Sequence, residues 1–187
     1  MGFFMVKYKL LLITVFLFTL SSLPVEAVES SLSKIQEPVR VDSISPKEMD
    51  VRAKVLAAYF AKFNSPLEYH AQDFIDAADQ YGVNWRLVPA IAGVESTFGK
   101  HIPGGYNAYG WAIFTSDSRY GFQSWRHGIF TVTEGLKKNY IDQGLTDPYS
   151  MNKKYAASKA WGWKVDFFMK DLEKFEKEYH QRLALAQ

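Results

Sequence analysis

The sequence predicts a mainly α domain, and three observations carry that expectation. Two segments, Ser45-Pro46-Lys47-Glu48 and Ser65-Pro66-Leu67-Glu68, match a capping box with proline at the first helical position. Apolar residues recur at helical spacing through most of the chain that follows. Beyond a minimal β excursion over Ala108 to Phe114, no stretch alternates with the period of two that a half-buried strand requires.

Each element then has a local reason. The first box opens a helix running to about Phe63, and the second opens one that reaches Tyr81, where Gly82 stops it. Asn84 caps a third helix, Trp85 to Ser96. From Thr97 to Gln123 the helical period is lost. Ser124 reopens a long helix that ends near Gly144, Ser150 to Ser158 gives a short one, and Trp163 to Leu183 closes the chain. The alternating charges from Lys164 to Lys177 read as a solvated helix face.

Ahead of the helices stands an export leader. Lys7 and Lys9 precede the apolar run Leu10 to Leu20, and Ser21, Ser22 and Pro24 lead to Val25-Glu26-Ala27, so residues 1–27 read as a signal peptide cleaved after Ala27. The alternative is an uncleaved anchor that tethers the chain to a membrane. Residues 28–44, polar and containing Pro38, read as a linker, and 45–187 as the domain. The expected destination is outside the cytoplasm: extracellular, cell wall or periplasm.

Composition removes several classes of function. The chain has no cysteine, which excludes a disulfide framework, a thiolate metal site and a cysteine nucleophile together. The whole sequence holds 22 basic and 20 acidic residues; the leader takes two lysines and one glutamate, leaving 20 and 19, a net charge of +1. That balance gives no footing for a nucleic-acid partner. There is no phosphate-cradling loop and no Gly-x-Ser-x-Gly elbow. His101 and His127 belong to no metal-ligand spacing, so neither a metal nor another cofactor is expected.

The chemistry-bearing residue is Glu95, at the end of the apolar run Ala90-Ile91-Ala92-Gly93-Val94 and just before a loop rich in glycine and aromatics. Turning by about 100° per residue puts Glu95 on the same side as Val88, Ile91 and Ala92, which predicts a carboxyl facing the core. Burial and the negative end of a helix that stops near Gly99 would both raise its pKa. A carboxylic acid that keeps its proton is what glycoside hydrolysis needs to protonate the leaving oxygen. The other reading of the position is a rim glutamate with its head in water.

The following loop offers Tyr106, Asn107, Tyr109, Trp111, Phe114 and Tyr120 as candidate substrate contacts. Aromatic faces stack on the apolar faces of sugars, and Asn and Tyr supply hydrogen bonds to hydroxyls. Aromatics such as Trp125 could equally plug the core from the loop. Asp117 is the only acidic residue in the loop and so the candidate for a second carboxylate, although Ser116 and Ser118 beside it also suit a surface turn.

These residues carry a resemblance. Glu95-Ser96-Thr97-Phe98-Gly99-Lys100 followed by Tyr106-Asn107-Ala108-Tyr109-Gly110-Trp111 resembles the signature of the bacterial glucosaminidase domain, mannosyl-glycoprotein endo-β-N-acetylglucosaminidase-like, within the lysozyme-like superfamily. Phe122, Trp125, Gly128 and Ile129 look like the family's next helix, and Asp147-Pro148-Tyr149 with Lys154-Tyr155-Ala156 like its late motif. The likeness covers roughly Pro66 to Phe175. It departs at Thr97-Phe98, at Tyr106 to Gly110 and at the insert Ile102 to Gly105. It implies a lysozyme-like helical domain that cleaves a β-1,4 bond of peptidoglycan with Glu95 as general acid and Tyr155 facing it across the cleft to orient the reacting part. Lytic transglycosylases and muramidases of the superfamily share this arrangement, and a catalytically silent wall-glycan binder would keep the same groove.

Overall fold

Helices account for the regular structure of the described residues. The computed structural model describes residues 48–111 and 121–186; the leader, the linker and the loop residues Phe114, Asp117 and Tyr120 lie outside the described residues. Among the described residues six α-helices follow one another: α1 Val51–Ala61, α2 Ala71–Tyr81, α3 Leu87–Ser96, α4 Trp125–Asn139, α5 Pro148–Tyr155 and α6 Trp161–Leu185. Short 3₁₀ turns at Pro66–His70 and Ile141–Gln143 precede α2 and follow α4. Among the described residues there is no strand, and Ala108 to Trp111 forms none of the expected excursion. The mainly α expectation holds, in keeping with a lysozyme-like domain.

Several boundaries moved, each for a local reason. The expected start at the Ser45 box is not where α1 begins. Glu48 to Asp50 is irregular and Asp50 is the cap, accepting the Arg52 N–H at 2.8 Å and pairing with the Arg52 guanidinium. Ser65 does accept the Leu67 N–H, at 3.0 Å, but its hydroxyl also donates to the Phe98 carbonyl at 2.7 Å. That tertiary tie holds a 3₁₀ turn at Pro66–His70, so α2 starts only at Ala71. Asp147 and Ser150 form a reciprocal capping box that starts α5 at Pro148, two residues before the expected point. The last helix begins at Trp161 rather than Trp163.

α3 is the buried axis. It packs against α6 and α4, while α2 lies on α4, α5 on α6, and α1 on both α2 and α6. From Leu87 to Gly93 every residue of α3 is buried, so the element is hydrophobic all round, as a helix enclosed by others must be. Phe98, just beyond its end, is fully buried among Tyr59, Phe60, Phe63 and Phe168, at ring-centroid separations of 5.8, 5.8, 4.4 and 5.1 Å. Gly93 makes room for this ring: a Cβ there would lie 2.7 Å from Phe98. The core therefore pins the chain immediately after Glu95. Among the described residues no helix is long and apolar enough to cross a membrane.

Candidate functional site

α3 ends abruptly. Thr97, Phe98 and Gly99 have φ of 53°, 57° and 80°, three consecutive residues in the left-handed region. For threonine and phenylalanine that conformation is unfavourable and must be imposed by the surroundings. Burial of the Phe98 ring supplies one constraint. The others are hydrogen bonds: the Phe98 N–H donates to the Ala92 carbonyl at 2.9 Å, the Gly99 N–H to the Ser96 hydroxyl at 2.8 Å, and the Ser96 hydroxyl to the Ala108 carbonyl at 2.8 Å. Buried Ser96 thus fastens the helix end to the loop that passes over it.

Glu95 does not face the core. It is exposed, although its wheel position falls within the apolar stripe. The periodicity misleads because α3 is buried on every side up to Gly93, so the stripe marks no particular face; only the last turn emerges. The carboxyl head is nonetheless enclosed on two sides. Oε1 accepts the Trp161 indole N–H at 2.7 Å, and a Cβ at Gly110 would lie 2.6 Å from Oε2. The residue is exposed as a whole, while its head is partly desolvated. Burial pushes the Glu95 pKa up, and the Trp161 hydrogen bond partly opposes it.

The loop's path is set by Asn107. Its buried side chain donates to the Trp111 carbonyl at 2.7 Å and accepts the Trp111 and Tyr109 N–H groups at 3.2 and 3.3 Å. With both ends of its amide spent on the loop, Asn107 shapes the site and is not placed to bind sugar. Tyr109 likewise departs from the expected glycan contact. Its ring is fully buried between Phe74 and Phe122, and its hydroxyl has no hydrogen-bond partner among the described residues. Tyr106, 43% exposed with φ 57°, stands edge-on to half-buried Trp125 at 5.2 Å and keeps a face free. Trp111 lies over Gly135 of α4, where a Cβ would come within 2.4 Å of its ring, and neighbours Tyr140 and Tyr155. Gly110, φ 59°, is the residue that touches the acid.

A second wall rises from α5 and α6. Tyr155, the last residue of α5, donates its hydroxyl to the Tyr109 carbonyl at 2.5 Å and stacks on Trp161, with ring centroids 4.4 Å apart at 19°. Its phenol is pushed well above the ordinary range by burial first and then by the nearby charges of Glu95, Tyr140 and Tyr109, so it stays a neutral donor. Trp161, almost wholly buried, belongs to the candidate site although the sequence analysis does not single it out. The available signal was Gly162 beside it, since a glycine in the first turn of a helix often marks a close approach. A Cβ there would meet the Pro148 carbonyl at 2.8 Å, and the Gly162 N–H donates to Asn152 Oδ1 at 2.9 Å. The structure thus brings together Glu95, Gly110, Tyr155 and Trp161. Among the described residues no second carboxylate bonds to Glu95 or shifts its charge, and no cluster of three His, Asp or Glu side chains could hold a metal ion.

No family model matches the chain. Two curated proteins of Streptococcus pneumoniae are similar to it. Both bear the name "Putative endo-beta-N-acetylglucosaminidase", one from serotype 4 and one from strain R6, and each is 31% identical over 113 residues, covering 54% of this chain. The chain spans only 17% and 16% of the length of those two relatives. The likeness is glucosaminidase-like and partial, and it agrees with the resemblance carried by the motif around Glu95.

Proposed function

We propose that this protein is an exported peptidoglycan glycosidase of the endo-β-N-acetylglucosaminidase type, with Glu95 as its single general acid. The observation that carries the proposal is the held carboxyl: a glutamate at a helix end, its pKa raised by burial, with one oxygen engaged and the other beside a residue without a side chain. Similarity to the two streptococcal proteins supports a glycan substrate. The leader in residues 1–27 supports export.

The two carboxyl oxygens divide the work. Oε1, accepting from the Trp161 indole, acts as the carbonyl oxygen of the neutral acid, so the proton sits on Oε2. Oε2 faces the Gly110 backbone, where any side chain would occupy the approach. Glu95 would transfer that proton to the glycosidic oxygen as the bond to C1 breaks. With no second carboxylate at hand among the described residues, the acetamido oxygen of the sugar would form the bond to C1. Water would then open the cyclic intermediate and return a proton to Glu95. Internal attack by a sugar hydroxyl, the transglycosylase outcome, runs on the same single acid. Tyr155 holds the Gly110 loop through the Tyr109 carbonyl and so positions the floor under the acid. Tyr106 and Trp111 supply aromatic surface for sugar rings.

Purified protein incubated with peptidoglycan, followed by mass analysis of the fragments, tests the reading. New N-acetylglucosamine reducing ends are expected. Anhydro ends would reassign the protein as a transglycosylase, muramic reducing ends as a muramidase, and no fragments would leave a silent glycan binder. Glu95→Gln should lower the rate by about 10²-fold or more.

A further inference from the structure

The residues Ala156 to Ala160 join the two stacked aromatics of the second wall, Tyr155 and Trp161. Ala156, Ala157 and Lys159 of this turn, with Tyr149, Asn152 and Lys153 of α5, line a depression of about 470 Å³. Its floor is apolar: two alanines and the ring of Tyr149, which is 57% exposed. The Asn152 amide is already spent, accepting from the Gly162 N–H and donating to the Ser158 and Ala156 carbonyls. The side-chain recognition that remains is two ammonium groups, Lys153 and Lys159.

Those two charges are uncompensated. Both lysines are exposed, and neither has an ion pair or hydrogen bond among the described residues. Nearby charges are otherwise used: Lys154 donates to the Asn139 carbonyl and lies over Tyr140, Lys170 pairs with Asp166, Asp166 also accepts from the Tyr149 hydroxyl, and Asp147 caps α5. An apolar-floored depression rimmed by two free cations suits an occupant with small apolar groups and carboxylates. A peptide acid has that composition. Among the side chains that line it, a phosphate polymer would find no further unengaged donor.

We infer that this depression holds the carboxylate-bearing stem peptide attached to the glycan strand, with Lys153 and Lys159 pairing its acidic groups. The inference rests on the glycosidase reading above, and it makes the protein prefer peptide-bearing strands to bare ones. The assignment is tested by binding. The full chain carrying Glu95→Gln, so that cutting is slowed during the measurement, is sedimented with peptidoglycan freed of phosphate polymers, either with its peptides or stripped of them by an amidase. Peptide-bearing wall should bind about five- to tenfold more tightly, as two exposed ion pairs allow, and the difference should shrink with added salt. Lys153→Gln with Lys159→Gln should abolish the difference, whereas Lys153→Arg with Lys159→Arg should keep it. Equal binding to both walls, a difference that survives in the glutamine variant, or tighter binding only when phosphate polymers are left on the wall would each overturn the inference. Cleavage by the unaltered protein in those cases would leave the glycosidase reading standing; failure to bind or cleave either wall would remove both.

Discussion

The two walls that meet at Glu95 are held by different means. The α3 wall, from Glu95 through the Asn107 loop to Trp111, is a backbone construction: non-helical chain fixed by positive φ angles, by the bonds of Ser96 and Asn107, and by glycines where nothing larger fits. The α5–α6 wall is built from side chains, with Tyr155 stacked on Trp161 and each reaching one polar atom across the cleft. A backbone wall tolerates little change at few positions. A side-chain wall can lose one polar atom and keep its shape, so its variants should tune the acid rather than abolish it.

The sharpest break in that comparison is at Gly110. Gly110→Ala places a methyl group 2.6 Å from Oε2 and forces alanine to φ 59°. Activity should fall by about 10²-fold, the scale of a misplaced reacting group, with a stability loss of about 1–2 kcal/mol from the left-handed backbone. Fragment release and a thermal melt read the two effects; near-unaltered activity would mean that the loop does not position the acid. Gly93→Ala drives a methyl into the Phe98 ring and should cost about 1–3 kcal/mol of stability by overpacking. Its activity at a permissive temperature should stay closer to normal than that of Gly110→Ala, since the damage lies behind the wall.

On the other side, Tyr155→Phe keeps the stack and loses only the bond to the Tyr109 carbonyl. It should cost about 1 kcal/mol and lower the rate about fivefold. Trp161→Phe removes the one hydrogen bond that lowers the Glu95 pKa. The acid then holds its proton to higher pH, and the alkaline limb of the kcat/KM profile should move upward while the stack persists. A limb that moves down, or not at all, would break the link between Trp161 and the acid.

The smallest effect is on stability against pH. Because its folded pKa is raised, Glu95 binds its proton more tightly in the folded protein than in the unfolded chain. Its contribution is present below the unfolded value and is lost as pH rises through the folded one. Glu95→Gln should therefore raise the melting temperature slightly at neutral pH and leave it unchanged in acid. A drop at neutral pH would mean that the ionised carboxylate is a stabilising partner of Trp161.

Much of this was legible in the chain, and the failures are instructive. Ser124 and Gly82 mark helix ends because capping and left-handed turns are decided within a few residues, whereas the helix expected to run to about Gly144 ends at Asn139, and Gly144 closes only the short 3₁₀ turn that follows it. Asp147 is a less visible cap, since the box here uses serine where glutamate is usual, and the sequence pattern therefore starts this helix two residues late. Asn107 and Tyr109 were read as sugar contacts from composition, but composition cannot tell an amide aimed at solvent from one closing its own loop. Glu95 was expected in the core because a helical wheel assumes that one face is solvated, and α3 has no such face until its last turn.

What the sequence by itself determined is local: six helices, their approximate order, and a glutamate at the end of the most apolar one with a glycine-aromatic loop behind it. What only the tertiary structure decided is which groups surround that glutamate. Trp161 lies 66 residues further on and bonds to Oε1, Tyr155 reaches across 46 residues to the loop, and Gly110 is bare because the acid stands against it. Capping and helical pattern act over one or two turns, whereas the proton affinity of a carboxyl depends on what desolvates it and what donates to it. Those neighbours are assembled by the packing of α3 on α6, which no short stretch of sequence contains.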